Sequence, residues 1–266
     1  MKKFILFLLT SSLTVICNAS DILVKISDGV DSDMLKAKME STAARILNEV
    51  NDAQAQNRDL NFQTMGVNEN VSHSMAMLWE HTPFVCSDEL IVEHCITTKS
   101  GYQIRNIPLL MKPRGGREFN EDEYQEAVIS FDKSGNVERF LLSISQSLYM
   151  NIIKNKGVTD LRRRQILLDF VEQLHTAYYQ HDITFLNNVF SDDSELSSEI
   201  LSNNKKLKDN YIAKLRRIFS STSSIKVKID EIEVMCHPYK KEFYGVTLHQ
   251  GYGTMAYHDD GYLFLL

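Results

Sequence analysis

The chain has 266 residues, 43% of them hydrophobic and 24% charged, with a formal net charge of -6. That is an ordinary globular composition, long enough for one large domain or two of about 100–150 residues. A net negative surface repels phosphate, which excludes nucleic acid as a default partner.

The first twenty residues read MKKFILFLLTSSLTVICNAS. Lys2 and Lys3 precede an apolar run from Phe4, and the small residues Ala19 and Ser20 close it. This is the plan of a secretory signal peptide cut near Ala19 or Ser20, and it predicts an exported, periplasmic or extracellular product. The bulky Ile16 argues against a lipid-modified start at Cys17. No other apolar run approaches the ~20 residues of a spanning helix, so no membrane span is expected.

From Asp33 to about Arg58, residues Leu35, Met39, Ala43, Ile46, Val50 and Ala53 recur at helical spacing and predict one long amphipathic helix. SHSMAMLWEHTPF, residues 72–84, predicts a short helix closed by Trp79 and Pro83, with Trp79 as a core anchor. Export changes how cysteine is read. Cys86 and Cys95 bracket CSDELIVEHC, and their spacing suits a small disulfide loop as well as two reduced thiols. A zinc site from His81, Cys86, His94 and Cys95 is disfavoured, because in a strand His94 and Cys95 point to opposite faces. No metal is expected.

Strands follow in IVEHCITT and YQIRNIPLLMK, then a loop, PRGGREFNEDE. YQEAVISFDKSGNVERFLLSIS reads as a hairpin. Ala127, Ile129 and Phe131 alternate on one strand, and Phe140, Leu142 and Ile144 on the other. Asp132-Lys133-Ser134-Gly135 supplies the turn. Residues 147–160 read as a connector with Thr159 as a helix cap. A second long helix then carries Leu167, Val171, Leu174 and Tyr178, and Asp182 caps a shorter one with Ile183, Leu186, Val189 and Phe190. SDDSEL ends it, before a short strand at 196–201. KKLKDNYIAKLRRIF predicts a third helix burying Leu207, Tyr211, Leu215, Ile218 and Phe219, its basic residues a solvated face.

The remainder is sheet. In IKVKIDEIEVMCH the inward set Ile225, Val227 and Ile229 changes parity to Ile232, Val234 and Cys236. Such a switch predicts a β-bulge and a bent strand, with Cys236 a small core residue. EFYGVTLHQGYGT and GYLFLL are the next strands, joined through HDDG, where Asp259 and Asp260 read as turn residues. The chain stops at Leu265-Leu266 inside an apolar strand, which predicts an exposed edge or a truncated sequence.

The order from Asp160 onward is long helix, short helix, aspartates, short strand, helix and long curved strands. Together with FVEQLHTAYYQHDITFLNNVFSDDSEL, it resembles the nuclear transport factor two-like superfamily, also called ketosteroid-isomerase-like or SnoaL-like. WEHTPF, DLRRR and the C-terminal strands are also similar to those of uncharacterised exported proteins of Gram-negative bacteria. The resemblance implies an α+β fold in which a long helix lies across the concave face of a strongly curved antiparallel sheet. Residues 21–150 show a similar order, so two cone-like domains in tandem are expected, at 21–150 and 151–266.

The resemblance also implies a pocket between helix and sheet. By residue type and position its candidates are Phe170, Leu174, Tyr178, Asp230 and Tyr244. His249 lies on the opposite strand face from Val246 and Leu248 and so points away. Buried tyrosines with satisfied hydroxyls and an exposed Asp230 are the simpler readings of these residues. There is no phosphate-cradling glycine loop, nucleophile elbow or two-histidine helix motif, and no cofactor is called for. Two functions stay open. The first is an exported, non-catalytic binding or assembly module for a protein partner or a small apolar ligand. Because GYLFLL is apolar on both faces, its outer sheet face would be covered by the other domain, a second copy or a partner. The second is a small-molecule isomerase, dehydratase or hydrolase using the pocket of residues 151–266.

Overall fold

The computed structural model describes residues 21–62, 65–111, 124–155, 159–192, 195–196, 206–221, 225–237, 239–240, 242–254 and 258–265. The expectations for residues 1–20, for most of the loop after Met111 and for residues 197–201 lie outside these. The fold is α+β, with a strongly curled antiparallel sheet.

Strand β1 (Leu23–Ile26) opens the described chain and pairs in parallel with β3 (Leu90–Glu93). Sequence reasoning missed it, although Ile22, Val24 and Ile26 alternate as buried residues with exposed Leu23 between them. Helix α1 (Asp33–Gln56) follows, capped by the Ser32 side chain and stopped at Asn57, whose left-handed backbone ends the hydrogen-bond ladder. Its predicted stripe from Met39 to Ala53 is buried. Helix α2 (Glu69–His81) starts three residues before the predicted stretch, because Asn68 accepts from the Val71 N–H. Trp79 is buried and meets the Phe84 ring edge-on at 5.6 Å.

The first sheet runs β2 (Phe84–Cys86), β5 (Gly101–Met111), β6 (Tyr124–Asp132), β7 (Val137–Ser143), with β4 (Ile96–Thr97) also on β5. IVEHCITT is thus two strands, not one, broken at His94 and Cys95. The hairpin turn falls where predicted, with Gly135 at φ 75°. A bulge lies between Ile104 and Ile107, where Asn106 adopts φ 59°. The bulge lets Ile104 and Ile107 both face the core under α1 and α2, while Gln103 and Arg105 face the other side.

Residues 147–160, read above as a connector, are mostly helix. α3 (Gln146–Lys154) is capped by Ser145 and buries Tyr149 and Ile152, whose i, i+3 spacing was a legible signal. Helix α4 (Leu161–Tyr179) follows, and its cap is Asp160, not Thr159. α5 (Ile183–Val189) is capped by Asp182, which accepts from the Phe185 N–H at 2.9 Å. Asp182→Ala is expected to lower stability by about 1 kcal/mol, read from chemical denaturation midpoints. Strands β8 (Glu195–Leu196) and β9 (Lys206–Leu207) pair briefly before α6 (Lys208–Ser221), which buries Ile212 and Leu215.

The second sheet is β10 (Lys226–Cys236), β11 (Tyr244–Gly253) and β12 (His258–Leu265), antiparallel in that order. The predicted bulge lies between Ile229 and Glu231, leaving Asp230 as the extra residue. HDDG is not the turn. Asp259 and Asp260 lie within β12, opposite Tyr252 and Gly251, because the ladder of β11 continues to Gly253 and carries the connection before His258.

Helix α4 is common to both sheets. Leu167, Leu168 and Val171 pack with Val234, Val246 and Leu248 of the second sheet and with Tyr149 and Ile152 of α3. Leu174, Ala177 and Tyr178 join the core of the first half.

Candidate functional site

β7 and β10 are outer strands of their sheets, and their free backbone groups meet polar side chains of α4. The Leu142 N–H donates to Thr176 Oγ1 at 2.9 Å, and the Ile144 N–H to Glu172 Oε1 at 3.2 Å. On the other side, Val227 N–H donates to the Tyr179 hydroxyl at 3.2 Å. His175 Nε2 lies 3.0 Å from the Val227 carbonyl and Nδ1 lies 3.4 Å from that of Leu142. Glu172, His175, Thr176 and Tyr179 so occupy the place of a missing strand between two sheets. A neutral imidazole has one N–H, and the nearer Val227 carbonyl takes it. Burial pushes His175 below its ordinary value, offset in part by the two carbonyls.

Glu172 also holds Arg105, the most deeply buried arginine among the described residues. Arg105 and Glu172 form a bidentate pair, through Nη2 with Oε1 and through Nη1 with Oε2 at 3.1 Å, with both side chains about 1% exposed. The guanidinium lies 3.6 Å from the centre of the Tyr149 ring. Burial pushes the Glu172 carboxyl up against the pull of Arg105. Arg105, which burial alone would lower, is held above its ordinary value by Glu172. The bidentate geometry and the third donor from Ile144 decide for the ion pair.

A polar chain extends from it. The Tyr149 hydroxyl donates to Gln103 Oε1 at 3.3 Å, and Gln103 Nε2 donates to Ser130 Oγ at 3.3 Å and Asp169 Oδ1 at 3.1 Å. Asp169 also accepts from Arg139 at 3.1 Å. Burial pushes the Tyr149 phenol well above its usual range. Arg105 and Arg139 are each paired with a carboxylate, and Arg105 Nε is a buried donor with no partner among the described residues. Nothing in this set is poised to take or give a proton to a guest. Sequence reasoning passed over it. The signal was Arg105 beside Ile104 and Ile107 in the middle of a strand, and Asp169 and Glu172 one turn apart on a helix.

Of the candidate pocket residues, Phe170, Leu174 and Tyr178 succeed one another along α4, while Asp230 lies on β10 and Tyr244 on β11. Leu174 and Tyr178 are fully buried, and the Tyr178 hydroxyl is 2.9 Å from that of Tyr211. Burial pushes the Tyr178 phenol up, opposed by hydrogen bonds with Tyr211 and Gln250. Phe170 is half-buried against Phe185 at 6.4 Å. Tyr244 is half-buried at the edge of the second core, with the Arg163 guanidinium 5.2 Å from its ring centre. Asp230 projects from the bulge onto the outer face. There it binds His249 Nδ1 at 2.7 Å and Lys228 at 3.2 Å. Those bonds hold its carboxyl below the ordinary range, His249 first. His249 lies on that outer face, as its parity implied.

Cys86 and Cys95, for which spacing left a disulfide and two thiols equally open, are buried free thiols, each pushed up to about 11 by burial. Cys236 is half-buried, rather than a core residue. His94 and Cys95 do face opposite ways, His94 exposed and Cys95 buried.

Among the described residues, the second sheet and its flank carry several exposed aromatic rings. Tyr262 and Phe264 of β12 are 55% and 70% exposed, and Tyr239 and Phe243 beside β11 are 91% and 51% exposed. The Tyr262 hydroxyl crosses His249 to donate to Glu231 at 2.9 Å. Among the described residues, the far edge of β12 pairs with no strand. No helix of the described residues is long and apolar enough to cross a membrane. No protein-family model matches the chain, and no curated protein or solved structure matches it.

Proposed function

We propose that the protein is an exported, non-catalytic binding or assembly module that engages a protein partner through the β12 side of its second sheet. Export rests on the pattern of the first twenty residues. The fold is read as two cone-like units in tandem that share α4, the second resembling the nuclear transport factor two-like superfamily. That reading rests on element order and on the bulged sheet wrapped against one long helix.

The observation that carries the functional reading is how the space between α4 and the second sheet is used. Leu167, Leu168 and Val171 fill it against Val234, Val246 and Leu248, and Tyr178 spends its hydroxyl on Tyr211. A small-molecule enzyme needs converging polar groups free to meet a guest. The charged groups inside, Arg105 and Glu172, are committed to each other, while apolar surface is exposed outside, at Tyr262 and Phe264. Exposed patches of this kind mark interaction sites, and an unpaired edge accepts a further strand.

The test pairs a thermal-shift screen of small metabolites with light scattering of the mature chain and its Phe264→Lys variant. The expected result is no metabolite that raises Tm through the interior. Concentration-dependent association of the wild type is expected to be weakened at least tenfold in the variant, whose stability should change by less than about 0.5 kcal/mol. A metabolite that raises Tm, and loses that effect on Tyr178→Phe, would replace this reading with the enzyme one.

A further inference from the structure

Three aromatic rings from three separate elements stack at the far end of α4. His181, in the α4–α5 link, is sandwiched between His81 at the end of α2 and Phe219 near the end of α6. Its ring centre lies 4.1 Å from that of His81 at 22° between planes, and 4.5 Å from that of Phe219 at 9°. The His181 backbone is left-handed, at φ 54°. It is held there by Ile183 N–H to the His181 carbonyl at 2.8 Å and by Asp182 N–H to the Ala177 carbonyl at 2.9 Å. Both ring nitrogens of His181 are buried and have no hydrogen-bond partner among the described residues. Nearby, Gln180 Nε2 donates to the carbonyl and the hydroxyl of Ser74, each at 2.8 Å, so the same link grips α2 twice.

We propose that this stack is an acid-sensitive latch, in which the neutral His181 ring closes α2 onto the α4–α5 link and protonation of that ring releases it. The chemistry is one of missing acceptors. A second proton turns both ring nitrogens into N–H donors lying in the ring plane, and the parallel rings above and below offer no acceptor in that plane. The face of Phe219 attracts a cation, but it cannot replace the hydrogen bonds that solvent would give to two charged donors. Among the described groups, His81 is the titratable one that acts on His181, and its charge opposes a second charge there. The neighbouring Asp182 carboxylate is engaged by the Phe185 N–H. Glu80 on α2 and Arg216 and Arg217 on α6 are exposed.

Burial, then His81, pushes His181 down to about 4 from an ordinary 6.5. Released, the ring regains its ordinary affinity for protons, so the open form binds the proton first as pH falls. The closed latch is therefore fully favoured above the ordinary histidine range and weakens progressively as pH drops toward about 4. A fixed apolar ring would hold α2 equally at every pH.

Trp79 is the single tryptophan of the chain and lies two residues before His81, so it reports the end of α2 without a label. The experiment follows Trp79 emission and acrylamide quenching between about pH 7.5 and pH 4, with far-UV circular dichroism confirming that the fold persists. Wild type, His181→Asn and Phe219→Leu are compared. Asparagine tolerates the left-handed backbone and does not titrate. The expected result is a red shift and stronger quenching of the wild type at acid pH, absent in His181→Asn. In Phe219→Leu, which opens one side of the stack to water, the midpoint should move up toward the ordinary histidine value. His175, the other buried imidazole, is present in all three proteins. An acid transition with the same midpoint and amplitude in all three would belong elsewhere and would overturn the proposal, as would a wild-type signal that stays flat.

Discussion

Glu172→Ala is expected to lower stability by about 3–5 kcal/mol, because it leaves the Arg105 guanidinium buried without its counter-charge. The loss has a second component. The Ile144 N–H beside β7 donates to the same carboxylate at 3.2 Å and would be orphaned with it. Removing both charges together, as Arg105→Met with Glu172→Leu, should cost much less than the single substitution, since no unpaired charge then remains. A buried pair is dearer to break than to replace. Urea denaturation of Arg105→Met, Glu172→Leu and the double variant measures this as a coupling energy. Equal losses in Glu172→Ala and in the double variant would mean that the pair does not act as a unit.

Leu168→Ala is expected to cost about 2–5 kcal/mol, the range for truncating a fully buried leucine. Its consequence for cooperativity is more informative than its size. Leu168 belongs to the core between the second sheet and α3, whereas Glu172, four residues on, is paired to a strand of the first. Because one helix supplies both contacts, either substitution should lower a single transition reported alike by Trp79 in the first half and by circular dichroism of the whole chain. Two separated transitions, with Trp79 unaffected by Leu168→Ala, would instead show residues 21–150 and 151–266 unfolding independently.

Periodic and punctuating residues were legible before any coordinates. The stripe from Met39 to Ala53, that of Leu167, Val171, Leu174 and Tyr178, the Asp182 cap and the Gly135 turn all depend on neighbours a few residues away. So did the bulge at Asp230, since a change of strand parity can be read along one strand. β1 and α3 were missed for a different reason. DILVKI adjoins the apolar run of the first twenty residues and drew no separate reading, and Ser145 with Tyr149 and Ile152 forms a helix too short to show more than one turn of its stripe. The HDDG turn was misplaced because aspartates and glycine signal turns locally, while the ladder partner of Asp260 is Gly251, nine residues away.

For the candidate site the balance is reversed. Sequence alone named Tyr178 and Asp230 as pocket residues by type, yet one is inside the core and the other outside the sheet. The parity that sent His249 outward could not reveal that Asp230 would meet it there, because a bulged residue follows neither face of its strand.

What this chain's residues determined by themselves is its alternation of helix and strand, the buried face of each element, and the bend of the last sheet. These follow from spacing along a single segment. It took packing to set α4 between two sheets, to bring Arg105 to Glu172 across 67 positions, and to stack His81, His181 and Phe219. Such contacts join groups far apart in the chain. Their partners are selected by which polar atoms are left unsatisfied when elements pack, a quantity that does not exist until they have packed.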